Sequence, residues 1–299
     1  MQDVTKDHRS GYVSRIGHPN AGKSTFLNAV LGQKLAATNE KAQTTRRKIL
    51  GMFNQEDHQV VFTDTPGILD PSYELQKFMM KTVISSFQEA DVLLLMDDLQ
   101  TERPLHESMI DRLKKAEQPV MIAVNKIDIS NPQQLKERLD YWEKALPNAA
   151  VFGISALSKF GVPELVEQIK KKLPVSPPFF PKDQITDLPE RFFVNETIRS
   201  KALVYYKNEI PYSIEVQTEE FLDEPDILKI HSVIYVERES QRGIIIGHKG
   251  HALKRLGTAA RQELTTFFGK KIFLNLHVKV NKNWRNDERQ LKRFGYDND

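Results

Sequence analysis

The sequence has no cysteine among its 299 residues. Disulfides, thiolate zinc sites and cysteine nucleophiles are excluded together, and a reducing cytoplasm is the natural setting. No apolar run approaches the roughly 18 residues of a membrane span. The opening residues, MQDVTKDHRSGYV, lack the basic-then-apolar order of a signal peptide. Repeats and low-complexity tracts are missing too, and the histidines have no metal-ligand spacing. Net charge is only +3. That charge is uneven, however: residues 243–293 hold 12 Lys and Arg against 3 Asp and Glu. One basic end on a nearly neutral chain suggests a polyanion partner there.

What is present fits a soluble chain of two domains, with 39% hydrophobic and 28% charged residues. Apolar runs alternate with amphipathic stretches up to Leu173. Strands are expected at 11–17, 48–53, 59–64, 91–96, 119–124 and 150–155. Helices are expected at 23–31, 73–87, 105–117, 132–146 and 163–173. Near-continuous apolar strands between helices predict an open, doubly wound α/β domain over residues 1–173. Residues 173–190 hold five prolines, which reads as a linker over 174–190. Beyond it the order α-β-β-α-α-β predicts a smaller α+β domain over 191–299.

The string GHPNAGKS, from Gly17 to Ser24, fits G-x-x-x-x-G-K-[S/T] between a strand and a helix. Glycines let backbone N–H groups converge on phosphate, and the helix N-terminus adds partial positive charge. Gly17, Pro19, Asn20, Ala21, Gly22, Lys23, Ser24 and Thr25 are the candidate phosphate contacts. Lys23 reaches the outer phosphates, and the Ser24 hydroxyl can bind Mg²⁺.

NKID, from Asn125 to Asp128, follows an apolar strand and so falls at a carboxyl end of the sheet. The Asp128 carboxylate can accept both the N1–H and the N2 amino group of guanine. Adenine lacks both donors, so Asn125, Lys126 and Asp128 point to a guanine nucleotide. DTPG ends another strand. Asp64 is placed to hold Mg²⁺ through a water, and Gly67 to offer its N–H to a γ-phosphate. A threonine of QTTRRK, Thr45 in preference to Thr44, could close on the same ion. In ISALS, the Ser155 and Ala156 backbone could meet the guanine oxygen. A glutamine after the DxxG glycine would orient the attacking water. Ile68 stands there instead, so hydrolysis should be slow without another aid.

The second glycine loop, GHKG, from Gly247 to Gly250, lacks the Lys-Ser ending. Between two short helices it reads as a G-x-x-G clamp for about four nucleotides of single-stranded RNA. Gly247 and Gly250 admit the backbone, while His248 and Lys249 face phosphates. The apolar III before the loop offers a floor for bases, and Lys254 and Arg255 follow as phosphate contacts. Trp284, Phe294 and Tyr296 near the end could stack on bases or dock into the core.

These motifs, in this order, resemble those of the translation-factor-like GTPases, and the two-domain plan is similar to the Era family. The resemblance runs from about residue 11 to residue 296. It implies a Ras-like GTPase domain followed by a KH domain of type II order. It implies Mg²⁺-dependent GTP hydrolysis and binding of the 3′ region of small-subunit ribosomal RNA, in small-subunit assembly. It further suggests K⁺ beside Asn20, acting like an arginine finger; RNA is the other source of that aid. A cytoplasmic monomer is expected, with a peripheral contact at the inner membrane face left open. Switch segments 32–48 and 67–80 would relay the γ-phosphate to the KH domain across the linker. A P-loop kinase is disfavoured by NKID, and a decayed nucleotide site by the intact Lys23, Ser24, Asp64 and Asp128.

Overall fold

The computed structural model describes residues 8–39, 41, 43–101 and 105–296. The chain divides into two compact units. The first gathers residues up to 36, 45–70 and 79–187; the second gathers 37–44, 71–78 and 188 onward. Among the described residues, no helix is long and apolar enough to cross a membrane.

The first unit runs β1 (Arg9–Ile16), α1 (Lys23–Leu31), β2 (Ile49–Asn54), β3 (His58–Asp64), α2 (Glu74–Gln88), β4 (Val92–Asp98), α3 (Glu107–Lys114), β5 (Val120–Asn125), α4 (Pro132–Ala145), β6 (Ala150–Gly153) and α5 (Val162–Lys172). Its six strands lie in the order β2-β3-β1-β4-β5-β6. β1 pairs in parallel with both β3 and β4, so the chain reverses its direction of growth across the sheet at β1. In such sheets ligands bind beyond the carboxyl ends of the strands at that switch. The loop after β1 is the glycine loop. β4 is buried along its whole length, as expected for a strand covered on both faces. One core cluster joins Leu93 and Leu95 of β4 to Ile122 and Val124 of β5 and Trp142 of α4.

One strand departs from simple β-α alternation. β2 is antiparallel to β3. Three residues separate them, too few for the crossover that parallel pairing requires. The proline-rich stretch also differs from a free linker, because residues up to 187 pack with the first unit. The reason is Gln59 on β3, which has no exposed surface. Its carbonyl oxygen accepts from the N–H groups of Phe179 (2.7 Å) and Phe180 (3.0 Å), and its amide donates to the Phe180 carbonyl at 2.8 Å. Phe179 stacks on Tyr12 at 5.3 Å, and the Met52 N–H donates to the Ile185 carbonyl. Prolines remove donors of their own, so a buried glutamine supplies pairing that a strand partner would otherwise give.

The second unit runs α6 (Glu190–Tyr205), β7 (Glu215–Asp223), β8 (Ile227–Val236), α7 (Glu239–Ile246), α8 (His251–Phe268), β9 (Lys271–Val280) and α9 (Glu288–Arg293). The sheet order is β7-β8-β9, with β8 antiparallel to β7 and parallel to β9. Its core joins Ile198 and Ala202 of α6 to Ile230 and Ile234 of β8 and Leu256, Ala260 and Leu264 of α8. Residues 37–44 and 71–78 pack with this unit. Arg199 of α6, buried and paired with Glu196, donates to the carbonyls of Gln43 (3.0 Å) and Thr44. The Lys41 ammonium donates to the Tyr206 carbonyl at 2.8 Å.

The aromatics of the tail dock rather than reach outward. Trp284 is fully buried and its indole N–H donates to the Ser213 carbonyl at 3.0 Å. The Tyr296 hydroxyl donates to Glu215 at 2.7 Å, and Phe294 is 3% exposed. Trp284→Ala should therefore destabilise the second unit by about 3–5 kcal/mol. Urea unfolding followed by far-ultraviolet circular dichroism will show it as a lowered midpoint.

Candidate functional site

The glycine loop closes because its neighbours leave no room for side chains. Gly22 sits just before α1 at φ 91°, and a Cβ there would meet the Asn125 amide nitrogen at 2.1 Å. That amide donates to the Ala21 carbonyl at 2.9 Å, and the Asn125 oxygen accepts from the Ala156 N–H at 2.9 Å. One carboxamide thus ties the phosphate loop to the loop after β6. Across the site, a Cβ on Gly67 would meet Pro19 backbone at 2.6 Å, and the Ile68 N–H donates to the Gly17 carbonyl at 3.0 Å. Gly17, Pro19, Ala21, Gly22, Gly67, Asn125 and Ala156 are therefore in one constellation.

Lys23 begins α1, almost fully buried. Its ammonium donates to the carbonyls of Gly17 (3.1 Å) and His18 (2.9 Å). Burial pulls its pKa down to about 8, with Asp64 opposing the shift and Arg15 adding to it. Ser24 and Thr25 follow on the first turn. The Ser24 hydroxyl lies 2.7 Å from Asp64 Oδ2 and 3.2 Å from Thr45 Oγ1, and Thr45 lies 3.5 Å from the same carboxylate oxygen. Thr44 is turned elsewhere, its hydroxyl donating to the Lys41 carbonyl at 2.6 Å. The Ser24 and Thr45 hydroxyls, 3.2 Å apart, have a spacing that suits two neighbouring ligands of octahedral Mg²⁺, which at a bond length of about 2.1 Å stand about 3.0 Å apart, and the Asp64 carboxylate beside them is placed to reach the ion through a water. Asn20 is exposed at the loop's outer edge, in a left-handed conformation at φ 66°.

The base end is set by β5 and the turn after it. Lys126 takes φ 67°, and its ammonium is 2.7 Å from Asp98 Oδ2 at the end of β4. Asp128 is exposed on the next short turn, where its carboxylate can accept from a ligand. Ser155 and Ala156 lie in the loop after β6. The Ser155 N–H donates to the Phe160 carbonyl at 3.0 Å, and the Ala156 N–H to Asn125. Both bonds fasten this loop, and the second fixes it to the strand end that carries NKID. Ile68 packs beside the apolar cluster, so it offers no water-orienting group.

Two residues of this site were not foreseen. Asp98 holds Lys126, and Arg15 lies behind Asp64 with its Nη2 3.4 Å from Oδ1. Burial lowers the Arg15 pKa to about 10, with Asp64 opposing the shift. An arginine inside the apolar run YVSRI was the available signal. Asn125→Ala removes both ties of the phosphate loop. At about 1 kcal/mol for each of the two hydrogen bonds, GDP affinity should fall roughly 30-fold, measurable by calorimetry.

In the second unit, Gly247 and Gly250 bracket a tight turn between α7 and α8. Gly247 takes φ 70°, and a Cβ there would meet the Ala252 Cβ at 2.6 Å. Gly250 takes φ 78° with nothing within 4 Å of its would-be Cβ, so its face stands open to a strand. His248 and Lys249 are exposed between them. Beside the turn, Gly250, Leu253, Lys254, Thr258, Arg261 and Leu276 line an open groove.

Arg255 is exposed but does not line this groove; its guanidinium lies over the Tyr205 ring at 4.8 Å. Lys254, Thr258 and Arg261 fall at i, i+4 and i+7 on one helix face, and Arg255 points about 100° away. Arg261 lines the groove together with Lys254. The isoleucine floor is partial: Ile245 is fully buried in the core, while Ile244 is exposed. Lys254→Gln should then weaken single-stranded RNA binding and flatten its salt dependence by about one unit of slope, whereas Arg255→Gln should leave the slope unchanged. Binding isotherms from 50 to 300 mM salt will separate the two (roughly the range where counterion release dominates).

A phosphate loop at the switch point of a parallel sheet, a carboxylate placed for guanine and a G-x-x-G unit beyond it define a class: a P-loop GTPase domain joined to a KH domain. The comparisons agree. The 50S ribosome-binding GTPase family model matches residues 12–126, and the KH domain model matches residues 209–285. GTPase Era of Geotalea uraniireducens is 44% identical over 294 residues, 98% of this chain and 99% of that protein. A structure of Aquifex aeolicus Era bound to GDP and AlF4⁻ aligns with a TM-score of 0.92 at 40% identity, covering 96% of this chain and 99% of that one. A structure of Era in complex with MgGDPNP and nucleotides 1506–1542 of 16S ribosomal RNA aligns with a TM-score of 0.92, again at 40% identity, covering 97% and 99%. The chain belongs to the Era family of GTPases.

Proposed function

We propose that this chain binds and slowly hydrolyses GTP with Mg²⁺, and under GTP/GDP control binds the 3′ region of small-subunit ribosomal RNA through its KH unit during subunit assembly. The observation that carries the reading is the meeting of Lys23, Ser24, Thr45 and Asp64 at one end of the sheet, with Asp128 exposed after β5. Lys23 and the loop N–H groups hold the phosphates. Ser24 and Thr45 bind Mg²⁺ directly and Asp64 through a water, and the ion neutralises charge on the β- and γ-phosphates. Asp128 accepts from guanine N1–H and N2, with Lys126 held over the site by Asp98. Gly67 donates to the γ-phosphate.

Two assignments of RNA could compete. The family model for the GTPase domain is described by the 50S subunit, whereas the relative solved with RNA carries 16S nucleotides. The choice of RNA belongs to the KH unit, and the second relative shares that unit over nearly its whole length, so the small-subunit reading is favoured. The chain acts as a cytoplasmic monomer in this account, with any contact at the inner membrane face peripheral.

Ile68 gives no help to the attacking water, so the missing electrostatic aid is assigned to K⁺ beside Asn20. Residues 37–44 and 71–78 pack with α6 and the tail, so these switch segments are a more direct relay than the proline-rich stretch. The experiment is GTP turnover by the full chain with a nucleotide panel. Turnover should require Mg²⁺, accept GTP and not ATP, and fall at least about 100-fold in Asp128→Ala. It should also be faster in potassium than in sodium buffer by about tenfold or more, and equal rates would end the K⁺ assignment.

A further inference from the structure

β1 carries an arginine where its neighbours are apolar. Arg15 and Asp64 are both without exposed surface. Arg15 Nη1 donates to the Lys23 carbonyl, and Nη2 approaches Asp64 Oδ1 at 3.4 Å. Arg15 Nε and Nη2 make no hydrogen bond, and neither does Oδ1. The pair is thus a charge contact, not a hydrogen-bonded fork. Buried ion pairs of this kind are poor contributors to stability, and apolar replacements of similar volume are often neutral or better. The guanidinium otherwise packs against Phe62, 5.8 Å from its ring centroid. Stability gives little reason for a cation here.

The other carboxylate oxygen faces the opposite way. Asp64 Oδ2 lies 2.7 Å from Ser24 Oγ and 3.5 Å from Thr45 Oγ1. One side of the carboxylate therefore meets a buried cation and the other meets the hydroxyl pair.

We infer that Arg15 acts on the nucleotide's Mg²⁺ through Asp64: its buried charge behind Oδ1 weakens the hold of the carboxylate on the ion that Ser24 and Thr45 face. The inference rests on the proposed reading of Ser24, Thr45 and Asp64 as the Mg²⁺ shell. A buried positive charge behind the carboxylate offsets its potential, and burial spares that charge from salt screening. The metal is therefore held less tightly than the oxygen set alone would give, and bound GDP is correspondingly easier to release when Mg²⁺ is scarce.

The test uses the full chain loaded with N-methylanthraniloyl-GDP, with release followed over a series of free Mg²⁺ concentrations. Arg15→Gln removes the charge and leaves a shorter polar side chain, while Arg15→Met removes both charge and polarity. In both, the Mg²⁺ concentration that half-slows release should fall about five- to tenfold. Arg15→Lys, which keeps the charge, should stay within about twofold of the wild type. Release in excess chelator should be alike in all four proteins, which a merely structural role would not predict. A half-slowing concentration that is unchanged or higher in the charge-free variants overturns the inference alone. A wild-type release rate indifferent to Mg²⁺ overturns the metal reading and the inference with it.

Discussion

The Asn125 carboxamide is the contact on which the nucleotide site depends. Its amide takes the Ala21 carbonyl and its oxygen takes the Ala156 N–H. The amide packs so closely on the phosphate loop that a Cβ at Gly22 would meet its nitrogen at 2.1 Å. The same side chain ends β5, so the loop that meets phosphate is referenced to the strand that presents Asp128. Two ends of one ligand are thereby set by a single buried group. The DTPG turn is referenced to the phosphate loop as well, through Gly67 against Pro19 and Ile68 bonded to Gly17.

The two glycine loops answer phosphate in different ways. Around Gly22 the backbone is enclosed, with Lys23 buried and hydroxyls gathered for a metal. Around Gly250 the backbone is open on one side, with Lys249 exposed and a groove alongside lined by Lys254 and Arg261. The first arrangement suits a metal-bound triphosphate and its chemistry, and the second suits a strand that is held without reacting. Glycine is needed in both because phosphate must approach the main chain, but enclosure decides which chemistry follows.

Much of this was legible because local signals coincide with the tertiary answer. Each strand of the first unit was an apolar run with turn residues beside it, and each site motif followed one of those runs. The Thr45 hydroxyl lies beside Ser24 and Asp64, and the Thr44 hydroxyl turns to Lys41. What was not legible depends on partners distant in sequence. β2 is antiparallel to β3 because only three residues connect them, whereas its apolar run alone says nothing of strand direction. The proline-rich stretch lies along the first unit because Gln59, some 120 residues earlier, pairs with it. Trp284 and Tyr296 carry the pattern of a stacking tail, yet each finds a buried acceptor on the second unit. Arg255 and Lys254 are adjacent in sequence, but helix geometry sends them to different faces. The N–H groups of Ser155 and Ala156 were committed to Phe160 and Asn125, which no motif records.

Switching is the account's central claim, and it needs the nucleotide state to change RNA affinity. The chain enters the second unit at residue 37 and leaves it between Thr44 and Thr45. Arg199 holds the carbonyls of Gln43 and Thr44, immediately before the threonine that reaches Ser24 and Asp64. The most direct measurement is the affinity of a labelled oligonucleotide from the 3′ end of small-subunit ribosomal RNA, in matched Mg²⁺ and salt, for the chain loaded with a GTP analogue or with GDP. Binding should be tighter in the analogue state by at least about fivefold, with an equal tightening of the analogue by the RNA through linkage; equal RNA affinity in the two states would rule the switch out.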